Sequence, residues 1–309
     1  MANVDGTWTE VSEGLPPSIW AARRCVDFAQ SRAGSPWFAQ YCPTIPHAPY
    51  TPTLHSEHLY NGEGWSAPSV NGGNMSDKLG WMRHLPRADA ASLQKEFEGK
   101  KEELADLDYS GILPILKALE DAGELDSTMI FFTSDNGYLR GEPRLHAKDH
   151  PYWESSMVPF LVKGPGVRRG ARRNAFVNHT DLMPTTCEIA GISSASLDVD
   201  GRSMLPHLGA AYSGWRKKML VTGSDDVGPE MNPGGAGDSS GRWWLLRENE
   251  KAFILHENGE KELYWMNEDP HQKRNGAEQA APALIERMTN TTEAMKAAAG
   301  ETRRKLEQA

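Results

Sequence analysis

A short apolar run near the middle of the chain ends in two oxygen-bearing side chains. Residues 129–133 read MIFFT, and Asp135, Asn136 and Gly137 follow shortly after. The run predicts a buried strand, and in an open α/β sheet the side chains just beyond a strand end project into the ligand crevice. Carboxylate and amide oxygens suit calcium or magnesium, and glycine lets the backbone turn away sharply. Taken alone, however, the tripeptide is also typical of an Asx turn.

Strands and helices alternate over the first two thirds of the chain, which predicts an α/β fold. Helices are expected over residues 18–32, 89–123 and 179–191, and strands over residues 36–43, 129–133 and 157–163. Pro114 is expected to kink or interrupt the second helix. Residues 47–86 are rich in Pro, Gly, Asn and Ser and are too long for an ordinary connection, so they predict a functional loop.

The pattern changes after Leu208. Four short segments, KMLVTG, RWWLLRE, KAFILHE and KELYWMN, predict strands, and the Asn258-Gly259 pair predicts a hairpin turn between the last two. A final helix is expected from about Ala280. These features predict a small antiparallel sheet covered by one helix, and hence an α/β domain over residues 1–210 and an α+β subdomain over residues 211–309.

The composition excludes several classes of protein. The 309 residues carry a formal net charge of -9, which argues against nucleic acid as a main partner. No apolar run approaches the roughly 20 residues of a membrane span. The three cysteines are odd in number and widely spaced, so they predict buried thiols rather than a disulfide framework or a zinc site. The amino terminus shows no signal peptide.

Several motifs occur in an order that resembles the sulfatase family of the alkaline-phosphatase superfamily. They are TSDNGYLRGEPRLHAKDHPYWESSMVPFLVKGPGV, then TDLMPTTCEIAG, then DVDGRSMLPHL, within about a hundred residues. So many ordered matches are more specific than any one short motif. The resemblance implies an alkaline-phosphatase-like central sheet flanked by helices, incomplete at its N-terminal side, followed by the small C-terminal sheet.

The resemblance also implies a set of site residues. Asp135 and Asn136 match the family's calcium ligands, and Lys148 matches the lysine that contacts sulfate. The segment YCPTIPHAPYTP places His47 at the sulfate ester, where a histidine can donate a proton to the leaving oxygen. The expected partner is a small-molecule or carbohydrate sulfate ester, with no nucleic acid or membrane partner. Family members are often secreted, periplasmic or lysosomal; the sequence leaves the compartment and the oligomeric state open.

The chain departs from the family pattern at two places. The family makes its formylglycine nucleophile from a C-x-P-x-R-type motif, which none of the three cysteines matches, so formylglycine is expected to be absent. The chain is expected to begin about one third of the way into a complete sulfatase. An alternative is therefore a truncated or degenerate relative that binds anions or metal without turnover. Pro143 stands where the family usually has a histidine, and His146 and His150 are not read as a metal pair because Pro151 follows.

A serine hydrolase is the rival class of enzyme. The GDSSG segment of residues 237–241 fits the G-x-S-x-G pattern with Ser239 as nucleophile. A nucleophile elbow needs a strand before it and a helix after it, whereas here a loop precedes and a strand is expected to follow. The hydrolase hypothesis is therefore rejected.

Overall fold

The computed structural model describes residues 2–4, 7–9, 15–72, 74–193, 198–209, 214–224 and 241–309. The chain divides into two compact units. The first unit comprises Met1–Ser66, Asp89–Ile130 and Lys163–Pro165, and the second comprises Ala67–Ala88, Phe131–Val162 and Gly166–Ala309. The predicted domain boundary between residues 210 and 211 lies outside the described residues and stays a prediction.

The first unit contains a two-stranded hairpin and a helical layer. Its antiparallel strands and its three α-helices are β1 (Ala2–Val4), β2 (Thr7–Thr9), α1 (Pro17–Ser31), α2 (Ala90–Asp106) and α3 (Leu113–Asp121). A π-helical turn, Leu107–Ile112, joins α2 to α3 and ends just before Pro114. The expected interruption at this proline is therefore confirmed. The helix α1 packs against the π turn and α3.

The strand predicted over residues 36–43 does not form. Trp37 and Tyr41 are half-buried between exposed neighbours, so the segment has the alternation of a strand. However, the strands described in the structure include no partner for it. Side chains hold the segment instead: the Tyr41 hydroxyl donates to the carbonyl of Ser18 at 2.9 Å, and the Trp37 indole donates to Glu124 at 3.4 Å. The prediction was wrong because alternation of buried and exposed side chains does not by itself provide a second strand to hydrogen-bond with.

The long segment of residues 47–86 is irregular, as expected, apart from a 3-10 turn at Met82–His84. Its first part lies along α2 and bonds to a row of polar side chains that recur every four residues, which we call the acceptor stripe. The stripe consists of Gln94, Glu98, Glu102 and Asp106. In that order, these side chains accept the backbone N–H groups of Trp65, Gly62, His58 and Thr53 at 3.2, 2.9, 2.8 and 2.7 Å. Loop and helix therefore run antiparallel, and three carboxylates and one amide oxygen accept the loop N–H groups that a neighbouring strand would bond in a sheet.

The second unit begins with a strand pair, a small hairpin and a short helix. These elements are β3 (Ile130–Thr133), β4 (Leu139–Arg140), β5 (His146–Ala147), α4 (Trp153–Ser156) and β6 (Phe160–Lys163). The strands β3 and β6 pair with each other. They run antiparallel, because Gly164 after β6 lies against Met129 before β3, whereas Met157 before β6 lies against Gly137 after β3.

The rest of the second unit contains the C-terminal sheet and the helices around it. These elements are α5 (Leu182–Ile189), α6 (Leu205–Leu208), β7 (Lys218–Ser224), β8 (Arg242–Glu248), β9 (Lys251–His256), β10 (Lys261–Trp265), α7 (Pro282–Ala297) and α8 (Gly300–Gln308). The strand order is β10-β9-β8-β7, with antiparallel neighbours. The predicted sheet and the turn at Gly259, with φ +87°, are confirmed. Two helices follow rather than one, because the backbone becomes extended at Ala298 and Ala299.

Successive residues of β9 face opposite layers, as the pleat of a strand requires. Ile254 joins a core cluster with Leu139 and Tyr152. Phe253 joins another cluster with Met288 and Met295 of α7. The C-terminal sheet is therefore buried on both faces. None of the described helices combines the length and apolarity of a membrane span.

Candidate functional site

The end of β3 forms a tight, self-bonded turn. The Ser134 hydroxyl donates to the carbonyl of Asn136 at 3.0 Å, and the Asn136 N–H donates to Oδ1 of Asp135 at 2.9 Å. Asp135 is exposed and Asn136 is half-buried. The Asp135 side chain accepts from the next residue rather than from Gly137 two positions on, whose N–H is used elsewhere, so these bonds do not form the Asx turn typical of the tripeptide.

Gly137 is required here by close packing rather than by its backbone angles. Its φ lies outside the left-handed region, contrary to a glycine chosen for a sharp turn. Its N–H donates to the carbonyl of Ser155 at 2.9 Å, and a Cβ added at this position would lie 2.1 Å from the carbonyl oxygen of Glu154. The Tyr138 N–H donates to that same oxygen at 2.6 Å. The helix α4 therefore holds the strand end directly.

Tyr152 and Glu154, from the YWE segment of the sulfatase-like motif, hold α4 in place. The Tyr152 hydroxyl donates to the carboxylate of Glu262 at 3.1 and 3.2 Å, and Glu154 bonds to the His271 ring at 3.0 Å. Glu262 is fully buried. Burial alone would raise the pKa of Glu262. The hydrogen bond and charge of His256, together with the other surrounding donors, outweigh burial, and the net effect is a pKa below the usual value. A buried, ionised carboxylate thus anchors the tyrosine.

Lys148 lies beside the strand end in a constrained segment. Its Nζ donates to Oδ1 of Asn136 at 3.3 Å, and the side chain is half-buried. Both neighbours have left-handed backbones, with φ +69° at Ala147 and φ +71° at Asp149. Such angles cost about 1–3 kcal/mol in residues other than glycine and persist only where the surroundings impose them. The Trp243 indole does so in part, because it donates to the Asp149 carbonyl at 2.9 Å.

The structure adds His179, which the sequence did not single out. This exposed imidazole places Nε2 2.7 Å from the carbonyl oxygen of Ser134. A carbonyl oxygen only accepts, so Nε2 carries the proton in this contact. The residue is 45 positions away from Ser134 in the chain. A lone histidine at that separation gives no sequence signal, and only its position just before the TDLMPT motif could have drawn attention to it.

A buried ionic cluster locks the turn that carries His179. This 3-10 turn, His179–Asp181, has a capping box formed with Asn178. The Arg216 guanidinium bonds to both carboxylate oxygens of Asp181 at 2.7 and 2.6 Å, and it also bonds to Glu307 of α8 at 3.0 Å. The side chains of Arg216 and Asp181 are only 1% and 0% exposed. The imidazole is therefore presented from a rigid support.

His47 belongs to the first unit, whereas Asp135, Asn136 and Lys148 belong to the second. It is exposed, and its Nδ1 lies 2.7 Å from the carbonyl oxygen of Ala48. Nδ1 must therefore donate, because a carbonyl oxygen only accepts, and the described contacts leave Nε2 available to a ligand. The expected convergence of His47 with the other three residues stays a prediction.

The remaining residues singled out in the sequence have structural surroundings. His146 packs edge-on against Tyr138, and His150 stacks on Trp81. Pro143 is buried. Ser239 lies outside the described residues, although the strand expected after it is present as β8.

The oxygen donors at the strand end suit part of a calcium shell. Of the two carboxylate oxygens of Asp135, Oδ1 accepts hydrogen bonds and Oδ2 accepts none within the described part of the chain, so Oδ2 is available to a cation. The amide oxygen of Asn136 keeps a second lone pair beside its contact with Lys148. Among the described residues, no group of three or more His, Cys, Asp or Glu side chains could hold a metal. These two donors fit calcium but make up a small part of the 6–8 oxygens it usually takes.

Comparison with known proteins identifies the family. A family model described as Sulfatase matches residues 21–192, more than half of the chain. N-acetylglucosamine-6-sulfatase of Bos taurus is 27% identical over 315 residues, covering 90% of this chain and 54% of the relative. The arylsulfatase of Chlamydomonas reinhardtii is 27% identical over 356 residues, covering 94% and 53%. The chain therefore spans about half the length of these curated relatives.

Solved structures agree on the fold. A structure determined in complex with its substrate D-glucosamine-2-N,6-O-disulfate gives a TM-score of 0.71 at 21% identity, covering 94% of this chain and 72% of that one. Phosphonate monoester hydrolase from Silicibacter pomeroyi gives a TM-score of 0.75 at 20% identity, covering 93% and 61%. At these identities the likeness shows the fold, and it confirms the predicted alkaline-phosphatase-like α/β architecture. Together with the match to the family model, it shows that the chain belongs to the sulfatase family.

Proposed function

We propose that this chain provides the sulfate-binding part of a sulfatase site, and that the complete reaction hydrolyses a sulfate ester to an alcohol and sulfate. The contact between Lys148 and Asn136 carries the proposal, since it joins the lysine matched to sulfate with the amide matched to the metal. The names of the relatives and the disulfated glucosamine of one related structure favour a sulfated sugar as substrate.

Lys148 supplies the positive charge for the sulfate group. Its ammonium has three donors, and the described contacts use one of them, on Asn136. The other two can bind sulfate oxygens and stabilise the charge that grows on them during S–O cleavage. The constrained backbone at Ala147 and Asp149 fixes the base of this side chain and so limits the entropy lost on binding.

His47 supplies the proton for the leaving alcohol oxygen. With Nδ1 bonded to the Ala48 carbonyl, a protonated ring has its second N–H at Nε2 free to donate. General acid help of this kind is worth about 10²- to 10⁴-fold in rate.

Asp135 and Asn136 would hold a calcium ion through carboxylate and amide oxygens. When bound, the ion supplies positive charge next to the sulfate group. We expect calorimetry with calcium alone to show weak binding, at or above the 10⁻⁴–10⁻³ M range of the weakest protein sites. Asp135→Ala should abolish the heat of binding. A tight site in the wild type would show that other ligands exist.

Anion or metal binding without turnover is the second candidate function. It is favoured by one observation: Cys25, Cys42 and Cys187 all lie outside any C-x-P-x-R-type motif. We expect no turnover of an activated aryl sulfate by the 309-residue chain above background, with or without calcium. Turnover that is abolished by Lys148→Ala or His47→Ala would contradict this expectation, and Ser134 and Thr133 beside the strand end would then be tested first as nucleophiles.

Binding of the sulfate group is the direct test of the proposed site. We would titrate the wild type, Lys148→Ala and Lys273→Ala with 4-nitrophenyl sulfate in a calorimeter. Lys273 is an exposed lysine of the same unit and serves as the matched control. Loss of a charge-assisted hydrogen bond costs about 1.5–3 kcal/mol, so Lys148→Ala should weaken binding at least about tenfold while the control binds normally. Equal affinities of Lys148→Ala and wild type would refute the site.

A further inference from the structure

A compact arginine cluster follows β6. Residues 168–173 read RRGARR, so four of six consecutive residues are arginines in a chain of formal net charge -9. We call this segment the arginine loop. All four arginine residues are exposed. Their concentration in one short segment creates a local positive potential opposite in sign to the charge of the whole chain.

The arginine loop is anchored at both ends against the end of α6, through the backbone of Arg168 and the side chain of Arg173. The Arg168 N–H donates to the carbonyl of Leu208 at 2.9 Å. Arg173 donates to the carbonyls of His207 and Gly209 at 3.3 and 3.0 Å. The loop is therefore held at both ends, and of the four guanidinium groups only that of Arg173 is used as an anchor.

Those three arginines are not neutralised by the protein. In the described part of the chain, the side chains of Arg168, Arg169 and Arg172 make no hydrogen bond or ion pair. Other exposed cations do pair, for example Lys117 with Asp121 at 2.7 Å. The chain has 42 acidic residues for 33 Lys and Arg, so carboxylates are not scarce. Three unpaired like charges on an anchored frame favour an external anion.

We infer that the arginine loop binds a sulfated polysaccharide. The guanidinium group is a planar fork that bonds well to carboxylates and to sulfate groups of phosphate-like geometry. Residues 166–174 contain no aromatic side chain on which a nucleic-acid base could stack, which argues against a nucleic acid as the ligand. A sulfated polysaccharide is bound through its sulfate groups without base stacking, so it fits the arginine loop better than a nucleic acid does. This surface is inferred independently of whether the chain turns over a sulfate ester.

Heparin affinity chromatography of the full chain tests the inference. The loop variant is Arg168→Ser/Arg169→Ser/Arg172→Ser, which leaves the anchoring Arg173 in place. The control variant is Arg87→Ser/Lys95→Ser/Lys217→Ser, which removes three exposed cations from scattered positions. Both variants change the net charge equally, and neither touches a buried residue, so both should keep the thermal stability of the wild type.

We expect the wild type and the control variant to be retained and the loop variant to elute at clearly lower salt. Each ionic contact to a nucleic acid contributes about 0.7–0.9 to the slope of log K against log salt, so loss of three contacts should reduce the slope for heparin by about 2. Equal elution of the two variants, or no retention of the wild type, would overturn the inference. Displacement by a DNA oligonucleotide as efficient as displacement by chondroitin sulfate would assign the loop to nucleic acid instead and overturn the polysaccharide.

Discussion

We expect one carboxylate of the acceptor stripe, Asp106, to keep the loop after His47 bound to α2. Asp106 lies at the end of α2 and is 3% exposed. Its oxygens accept the backbone N–H of Thr53 at 2.7 Å and the Thr53 hydroxyl at 2.5 Å. Asp106→Ala removes both acceptors while preserving the helix, because alanine is the best helix former.

The expected magnitude follows from the two lost bonds. A hydrogen bond to a charged group contributes about 1.5–3 kcal/mol. Water replaces part of this at a loop surface, so we take the lower value for each bond and expect local opening to become easier by about 3 kcal/mol. Since about 1.4 kcal/mol corresponds to tenfold, protection of the Thr53 region against hydrogen exchange should fall about 100-fold.

Hydrogen exchange with mass spectrometry on peptides covering residues 50–58 measures this directly. Asp108→Ala is the matched control, since Asp108 carries the same side chain two positions on and is exposed. Thr53→Val keeps the N–H bond and loses the hydroxyl, so it should reduce protection by about tenfold. Combined with Asp106→Ala, it should add only the small effect of losing the 3.3 Å bond from the His55 N–H to the Thr53 hydroxyl, because both changes remove the bond between that hydroxyl and Asp106. A change in protection below about threefold in Asp106→Ala would refute the reasoning.

Two further predictions concern charged groups elsewhere in the chain. Hydrogen bonds from the Gln94 amide and the Gly62 N–H lower the pKa of Glu98. The pKa of Glu98 in the folded chain therefore lies below its unfolded value of about 4.3, so the stability that the ionised carboxylate contributes is present above about pH 4.3 and is lost as pH falls through the folded pKa. Protection of the Gly62 N–H against hydrogen exchange should fall on acidification, and it should fall less in Glu98→Gln, whose side chain does not titrate. Arg216→Met should lower the free energy of unfolding in urea by about 3–5 kcal/mol, since it leaves the buried Asp181 carboxylate with two backbone N–H donors but without its guanidinium partner. Adding Asp181→Asn should recover part of this loss, and a loss below about 1 kcal/mol would contradict a stabilising role.

Local patterns predicted most of the fold because the residues in each pattern themselves favour the helix, strand or turn that forms there. The helices have an apolar period, and the turn before β10 has Asn258 followed by Gly259, whose φ is +87°. The strand expected over residues 36–43 failed because a strand also needs a partner, which no local pattern reveals. The β4–β5 hairpin was not predicted, since two residues per strand are too few to show an alternation.

The candidate site was predictable only where its residues belong to one run of motifs. Asp135, Asn136 and Lys148 fall within 14 residues of each other in the printed sequence, and the structure brings Lys148 to Asn136. Arg216 lies 35 positions from Asp181, and its role becomes visible only in three dimensions. Long-range ion pairs depend on the packing of whole elements, so a single sequence gives no sign of them.

The motifs that carry the family resemblance mostly specify the frame rather than the chemistry. Gly137 is the residue that lets α4 approach the strand end, Tyr152 anchors α4 through its hydroxyl, and Asp181 is bound by the Arg216 guanidinium. Asp135, Asn136 and Lys148 instead present groups that a ligand can reach. A chain can therefore match the family over these motifs whether or not it holds a nucleophile, because the frame folds by its own packing. It follows that variants of Tyr152 or Asp181 should act first on stability, whereas Lys148→Ala should act on ligand binding in a chain that is otherwise fully folded.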